Sequence, residues 1–368
     1  MINPSIFIKE LKKYSIEMFT GVPDSLLKSF CAYVQDHSER NIITANEGNA
    51  IALAAGHYLA TKHIACVYMQ NSGLGNAVNP LISLMDSDVY QIPVLLMIGY
   101  RGEPGVKDEP QHVKQGKITL SLLETLCIDY LVIDGSEDVA ELLAIAQKIL
   151  LLNKPFAFVV KKGTFEEYKI QTPNDDISNL TREHAIEIIT THLTHNELIV
   201  STTGMISREL FEIRERNSES HATDFLTVGS MGHTSQIAMG VALSAPHKKV
   251  ICLDGDGSFI MHMGSVVVNS SLKAKNLVHI ILNNGAHDSV GGQPTVASSH
   301  SLSAIASSCG YESVLTVDNE IELIHAMKRI ELGDVQLLEV KVKKGARKDL
   351  IRPTISPKEC KENFMGTI

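Results

Sequence analysis

Tryptophan is absent from the 368 residues, and phenylalanine with tyrosine brings the aromatic share to only 5%. No stripe of lysine and arginine appears either. A nucleic-acid platform, which needs stacking rings on a cationic face, is therefore not expected. Long apolar runs are also missing. PVLLMIG (93–99) is among the longest, whereas a bilayer-spanning helix needs about 20 such residues; no membrane partner is expected. The N-terminal MINPSIFIKELKKYSIE lacks the apolar centre of a secretory leader and reads as an amphipathic helix. Six cysteines lie far apart, with no C-x-x-C pair. Disulfides and a zinc site are not expected, and free thiols point to a reducing, cytoplasmic setting. Net charge is −9, with both signs mixed along the chain. These features suggest an enzyme acting on a small molecule, with any cations for an anionic substrate supplied locally.

What is present is alternation. In the first half, EMFTGV, NIITA, IACVYM, IPVLLMIG, YLVID and FAFVV read as buried strands. Helical stretches such as SLLKSFCAYVQDH, GNAIALAAGHYLATK, ITLSLLETL and DVAELLAIAQKILL separate them. Strand–helix alternation of this kind builds a parallel sheet covered on both faces. A polar stretch with Pro173, Asn174, Asp175 and Asp176 interrupts the pattern. A second alternating unit follows, with strands ELIVST, VICLDG, LVHIILNN and VQLLEVKV. The expected organisation is α/β: two doubly wound parallel-sheet domains at 1–165 and 182–343, a linker at 166–181 and a C-terminal arm at 344–368. In such sheets ligands bind beyond the carboxyl ends of the strands. Those ends read GVPDS, ANEGN, MQNSGLGN and GYRGEPG in the first half, then STTG, VGSMG, DGDGS and NNGAHDS in the second.

The stretch LDGDGSFIMHMG (253–264) packs two acids and two glycines between apolar segments. A plain turn would use the same residues. A calcium loop counted from Asp254 would need Gly and Glu where Phe259 and Ser265 stand. A dinucleotide loop from Gly255 would need Gly where Ile260 stands. A more distant partner fits better. Asn283 and Asn284 end the next long strand, with positions 258–282 between them and Gly257. That is room for one helix and one returning strand. Two neighbouring strand ends would then present Asp256 beside Asn284. A carboxylate, an amide oxygen, a backbone carbonyl and water make a hard-oxygen site suited to magnesium shared with phosphates. A helix opening at Ser258 would offer free N–H groups to the phosphate.

GDGS…NN resembles the diphosphate-binding motif of thiamine diphosphate-dependent enzymes. The resemblance implies thiamine diphosphate and Mg2+ as cofactors. The metal would be held by the side chains of Asp256 and Asn284 and the Ala286 carbonyl, with Gly255, Gly257 and Ser258 around the diphosphate. It also implies an acid that drives the cofactor's pyrimidine into its imino form. Glu47, in ANEGNAIALAAGHYLA, stands at a strand end before a helix, as that role requires. Gly229 and Met231 in VGSMGH match the positions that hold the 4′-amino group and wedge the cofactor into its V shape. The first domain would then bind the pyrimidine and the second the diphosphate. Active sites would lie between subunits, implying a homodimer or higher homo-oligomer.

Larger relatives carry a middle domain that this chain lacks, which points to the compact members of the family. TGVPDSLLK, QNSGLGNAVNPL, GYRGEPGVKDEPQHVKQG, NNGAHDSVGGQPT and RPTISPKECKENFM resemble those that decarboxylate 3-phosphonopyruvate, without oxidation, to phosphonoacetaldehyde and CO2. Members acting on sulfopyruvate, or a related 2-oxo acid decarboxylase or acetolactate-type carboligase, are the alternative. By the same resemblance Asp24 and His112 join Glu47 as catalytic candidates. For the substrate's two anions the sequence offers Gln70, Asn71, Arg101, His287, Ser289 and, on the arm, Arg352. Arg101 begins a stretch (101–117) that reads as a long polar loop with Lys107, Lys114 and Lys117. Arginine suits bidentate phosphonate contacts. A nicotinamide dehydrogenase is disfavoured by the lack of an intact G-x-G-x-x-G after a strand. A non-catalytic member would have been expected to lose Glu47 or half of GDG…NN.

Overall fold

The computed structural model describes residues 1–171, 176–194 and 196–368. The chain divides into two compact units, Met1–Pro173 and Asn174–Ile368. The first is built on six strands: β1 (Met18–Gly21), β2 (Arg40–Ile43), β3 (Ala65–Gln70), β4 (Leu95–Gly99), β5 (Asp129–Ile133) and β6 (Phe156–Val160). They run parallel in the order β2-β1-β3-β4-β6-β5. β4 (LLMIG) and β6 (FAFVV) are buried at every position, because a strand with helices on both faces has no wet side. The pleat sends alternate residues opposite ways. Phe19, Tyr68, Met97 and Phe158 pack on one face with Phe7, Ile8 and Leu11 of the helix Pro4–Lys13. Met18, Val67, Ile98 and Val159 pack on the other with Ala50, Ile51, Ala54 and Ala55 of the helix Glu47–Thr61.

The second unit repeats the plan with β7 (Leu198–Ser201), β8 (Asp224–Leu226), β9 (Val250–Gly255), β10 (Leu277–Asn283), β13 (Val314–Val317) and β14 (Leu337–Lys341). The order is β13-β14-β10-β9-β7-β8, again parallel. Outside this sheet, β11 (Ala286–His287) and β12 (Gln293–Pro294) form a short antiparallel pair. The α/β class with two doubly wound parallel sheets is thus observed. β8 and β13 carry weak sequence signals because both are edge strands. β8 has three residues and begins with a buried Asp224, held by the Arg214 guanidinium at 2.9 Å. β13 is only partly buried.

Three segments differ from the reading of the sequence. The supposed polar loop 101–117 becomes helical at Pro110, opening the helix Pro110–Thr125. Its apolar stripe is weak over PQHVKQGK, but proline at the first helical position is preorganised for a start. Residues of the expected linker 166–181 are tied down locally. Glu166 accepts from Asn3 Nδ2 at 2.7 Å and Tyr168 Oη donates to Asp36 at 3.0 Å, while Ser178 Oγ donates to the Asp318 carbonyl at 2.8 Å. Pro173, Asn174 and Asp175 lie outside the described residues. The expected C-terminal arm ends in a helix, Pro357–Met365, started by a Ser356–Glu359 capping box. Its Cys360 and Phe364 are buried, and Phe364 lies 5.6 Å from Phe225 of β8, centroid to centroid. Among the described residues no helix is long and apolar enough to cross a membrane, and all six cysteines are free.

Candidate active site

In the first unit the carboxyl ends of β1 to β4 carry the polar side chains, and two glycines make room for them. Glu47 opens its helix behind an Asn46 N-cap and is 5% exposed. Asn76 Nδ2 donates to its Oε2 at 2.8 Å. A Cβ on Gly73 would stand 2.3 Å from Glu47 Oε1, so only glycine leaves space for this carboxylate. QNSGLGN therefore supplies both the void and a hydrogen-bond donor for Glu47. Asp24 is 1% exposed. Its Oδ2 accepts from the Leu26 N–H at 2.9 Å, and its Oδ1 has no partner among the described residues. A Cβ on Gly99, at the end of β4, would stand 2.1 Å from Asp24 Oδ2. Burial pushes the Asp24 carboxyl above the usual carboxylate range, with the Leu26 N–H and Arg101 opposing.

Sequence reasoning singled out the cations of 101–117 and passed over the three acids among them, Glu103, Asp108 and Glu109. Asp108 organises that segment. It accepts from Arg101 Nε at 2.8 Å and Nη2 at 2.5 Å. The Gly102 and Glu109 N–H groups donate to it at 2.8 Å each, and His112 Nδ1 lies 3.0 Å from its Oδ1. Partial burial raises the Asp108 carboxyl, yet the bonds from Arg101, His112 and the two backbone N–H groups hold it well below the carboxylate range. Arg101 Nη1 goes on to Ser25 Oγ at 2.8 Å, beside Asp24. Asn71 Nδ2 donates to the Arg101 carbonyl at 2.7 Å and to Thr119 Oγ1 at 2.9 Å, while its Oδ1 has no partner among the described residues. Asp24, Asn71, Arg101 and His112 are thus one cluster. Gln70 bonds Ser72 Oγ instead, at 2.9 Å. Asp108 also settles the histidine's geometry: with Nδ1 on the carboxylate, Nε2 is left for other chemistry.

In the second unit the register of β9 on β10 sets Gly255 opposite Leu282. The GDG and NN turns consequently leave the sheet side by side. Helix begins at Asp256, two residues before the position expected from the sequence, and runs only to Met261. Asp256 is 3% exposed, and Thr295 Oγ1 donates to its Oδ2. No ion pair to Asp256 is found among the described residues. Burial pushes its carboxyl up to about 7, against the bonds from Thr295 and the Gly257 N–H. A buried carboxylate with no cation beside it is the environment a bound divalent ion relieves.

The two asparagines divide their work. Asn283 turns inward, donating to Glu339 Oε1 at 2.8 Å and accepting from the Gly285 N–H at 3.0 Å. Asn284 is the one at the turn, its Oδ1 accepting from the Ala286 N–H at 3.1 Å and its Nδ2 donating to Asp288 at 2.6 Å. Gly285 makes the turn with φ +66°. Asp288 is held in turn by Arg182 Nη1 at 2.8 Å and the Gly345 N–H at 2.9 Å. Arg182 is itself bidentate to Glu209, at 2.8 and 2.9 Å. Sequence reasoning missed this brace; its sole trace is an arginine opening the helix Arg182–Thr191, where the dipole disfavours positive charge. The donor set of Asp256, Asn284 and Ala286 fits a magnesium ion by chemistry, being oxygen throughout.

Around this turn the sequence candidates gather unequally. A Cβ on Gly257 would stand 2.9 Å from His287 Cε1 and 3.2 Å from Met231 Cε, so Met231, Gly257 and His287 adjoin one another. Ser258 Oγ receives the Gly232 N–H and Thr202 Oγ1, each at 3.1 Å. Burial lowers the His287 imidazole to about 4, with Asp288 opposing. Gly229 sits on the connection after β8. Ser289 is exposed, and Arg352 is exposed on the segment between β14 and the last helix. Its neighbour on that segment, Arg347, is tied to Glu183 at 2.7 Å and to Glu212.

Comparison with known proteins agrees with this layout. Residues 4–122 match the N-terminal TPP binding domain of thiamine pyrophosphate enzymes, and residues 202–340 match the C-terminal TPP binding domain. A phosphonopyruvate decarboxylase of Streptomyces viridochromogenes is 32% identical over 387 aligned positions, covering 100% of this chain and 95% of that protein. Another from Streptomyces hygroscopicus is 32% identical, covering 99% and 93%. A sulfopyruvate decarboxylase of Methanosarcina acetivorans is 27% identical, covering 100% and 98%. With full-length similarity, both binding domains, and buried acids at the strand ends, the chain belongs to the thiamine pyrophosphate-dependent enzymes.

Proposed function

We propose that this protein is a thiamine diphosphate- and Mg2+-dependent decarboxylase that converts 3-phosphonopyruvate to phosphonoacetaldehyde and carbon dioxide. The observation that carries the reading is the full-length 32% identity to phosphonopyruvate decarboxylase, in a chain that keeps Glu47 and Asp256 buried at strand ends. When bound, the cofactor supplies a carbon nucleophile for the keto group and an electron sink for the departing carboxylate. The protein's part is binding, orientation and proton control. Asp256, Asn284 and the Ala286 carbonyl hold the metal, with Gly255, Gly257 and Ser258 around the diphosphate. Gly229 and Met231 seat the rings. Glu47, buried with one amide donor on Oε2, holds a hydrogen bond at the pyrimidine nitrogen.

Asp24 and His112 handle protons. A carboxyl raised by burial can hold a proton closer to neutral pH than an exposed one. Gln70, Asn71, Arg101, His287, Ser289 and Arg352 are the substrate-facing set. Within it Arg101 donates through Nε and both Nη atoms to Asp108 and Ser25, so it positions the cluster as much as it attracts an anion. Asp108→Asn is expected to lower kcat/KM by about 10²-fold, because loosening Arg101 and His112 misplaces groups that must be aligned. Steady-state kinetics beside a melting curve checks this; kinetics unchanged in a folded variant would remove Asp108 from the reading.

The whole reading is tested by measuring carbon dioxide release from phosphonopyruvate, sulfopyruvate and pyruvate, with and without thiamine diphosphate and Mg2+. Phosphonopyruvate should give the highest kcat/KM, and only with both cofactors present. Faster turnover of sulfopyruvate would move the assignment to the second reading, favoured by the full-length likeness to the Methanosarcina enzyme. We propose further that the active form is a homodimer or higher homo-oligomer in the cytoplasm, which mass photometry and fractionation would check.

A further inference from the structure

Gln293 is 1% exposed, and neither its Oε1 nor its Nε2 has a partner among the described residues. Its amide can make up to four hydrogen bonds, and leaving buried polar atoms unpaired is costly. The surrounding loop is otherwise well satisfied: nearby Asn283 uses both of its amide atoms. The orphaned amide therefore does not reflect a loosely built segment. It has a made seat as well. Gly291 has φ +131°, and a Cβ there would stand 2.9 Å from Gln293 Nε2 and 3.1 Å from Oε1. A side chain at position 291 would displace the amide.

Place in the fold says what the amide faces. Gln293 lies opposite His287 in the antiparallel pair of β11 and β12, so these two side chains share one side. Past the end of β12 the backbone stays extended at Thr295, whose N–H donates to the Gly285 carbonyl at 2.9 Å, so the alternation returns there to the same side, and the Thr295 hydroxyl reaches Asp256. Gln293 thus belongs to the flank of the turn that carries Asp256 and Asn284, beside an acidic pair of Asp256 and Asp288. A neutral donor suits a ligand that is itself anionic and metal-neutralised. A carboxylate at 293 would add a third negative charge there.

We propose that Gln293 is a ligand-binding residue whose Nε2 donates to a phosphorus oxyanion, either the diphosphate of the cofactor or the phosphonate of the substrate. The inference rests on the proposed thiamine diphosphate-dependent decarboxylation. Its test uses Gln293→Met, which fills the same volume without polar atoms, and Gln293→Glu, which keeps the shape and adds charge. Each is titrated with thiamine diphosphate and Mg2+ by calorimetry, assayed for KM on phosphonopyruvate and pyruvate at saturating cofactor, and melted without ligand. A diphosphate contact predicts a cofactor Kd raised about tenfold to hundredfold in the Met variant and more in the Glu variant. A phosphonate contact predicts unchanged cofactor Kd and a KM raised about tenfold for phosphonopyruvate but not for pyruvate. In both cases the unliganded Met variant should melt no lower than wild type. Unchanged affinities, or a lower melting temperature with unchanged affinities, mark a merely structural amide and overturn the inference. Wild-type protein that takes up no cofactor would end the proposed function and this inference together; wild-type uptake with unaffected variants would end this inference alone.

Discussion

Replacing Glu47 with glutamine is expected to cut kcat by about 10²- to 10⁴-fold, the usual contribution of a positioned acid–base group, while cofactor affinity stays within a few-fold of wild type. The geometry supports so clean a split. Glu47 is confined between the Asn76 amide and the void left by Gly73, and glutamine is close to it in shape. The substitution therefore removes an ionisable proton without opening a cavity, and the helix keeps its Asn46 cap. Single-turnover kinetics together with calorimetric titration of thiamine diphosphate separates chemistry from binding. Normal turnover in Glu47→Gln would refute the proposed role of this residue; weak binding with normal chemistry would relocate it to cofactor retention.

The second large effect is expected at Asp256, which we propose holds the metal and the diphosphate. Asp256→Asn should weaken joint binding of Mg2+ and thiamine diphosphate by about 10²-fold or more, since even partners one step removed from a metal cost 10- to 100-fold when lost. Activity at ordinary cofactor concentrations should disappear and return only in part at high Mg2+. The unliganded variant should melt at or above the wild-type temperature. In that state the wild-type carboxylate is buried with no ion pair among the described residues, and its neutral amide isostere avoids that desolvation. Loss of binding with retained or increased stability is a signature that a general folding defect does not produce. Unaltered cofactor binding in Asp256→Asn would remove the metal from this turn.

Much of the candidate site was legible because its signals are local or regularly spaced. All-apolar strands such as β4 and β6 announce burial on both faces, and parallel sheets put ligands at their carboxyl ends. GDG…NN could be read across 25 intervening positions because a helical crossover and one returning strand fill that gap in a parallel unit, although the crossover is two short helices, Asp256–Met261 and Gly264–Leu272, where the spacing suggested one. The 101–117 segment was harder. Its helix from Pro110 lacks an apolar stripe at the start, and Asp108 looked like one more charge on a polar stretch. Nothing in the sequence distinguishes an acid gripped by Arg101 and His112 from a solvated one. Thr295 and Gln293 were invisible as site residues for a related reason. Thr295 reaches Asp256 from just past the β11–β12 pair and Gln293 sits within that pair, whose two-residue strands are too short to carry a periodic signal.

By itself the sequence determined that there are two parallel sheets, that acids stand at their strand ends, and that the spacing of two turns suits a diphosphate and a divalent ion. Only the tertiary structure decided which asparagine of the pair faces the turn, with Asn283 drawn inward by Glu339 and Asn284 left beside Asp288. It alone decided that Asp108 braces Arg101 and His112, and that Gly73 and Gly99 exist to admit Glu47 and Asp24. Hydrophobic periodicity is a property of neighbours along the chain, so it survives in the sequence. A buried polar side chain is defined by the partner that folding brings to it, and that partner is set by sheet register and close approach between segments distant in sequence.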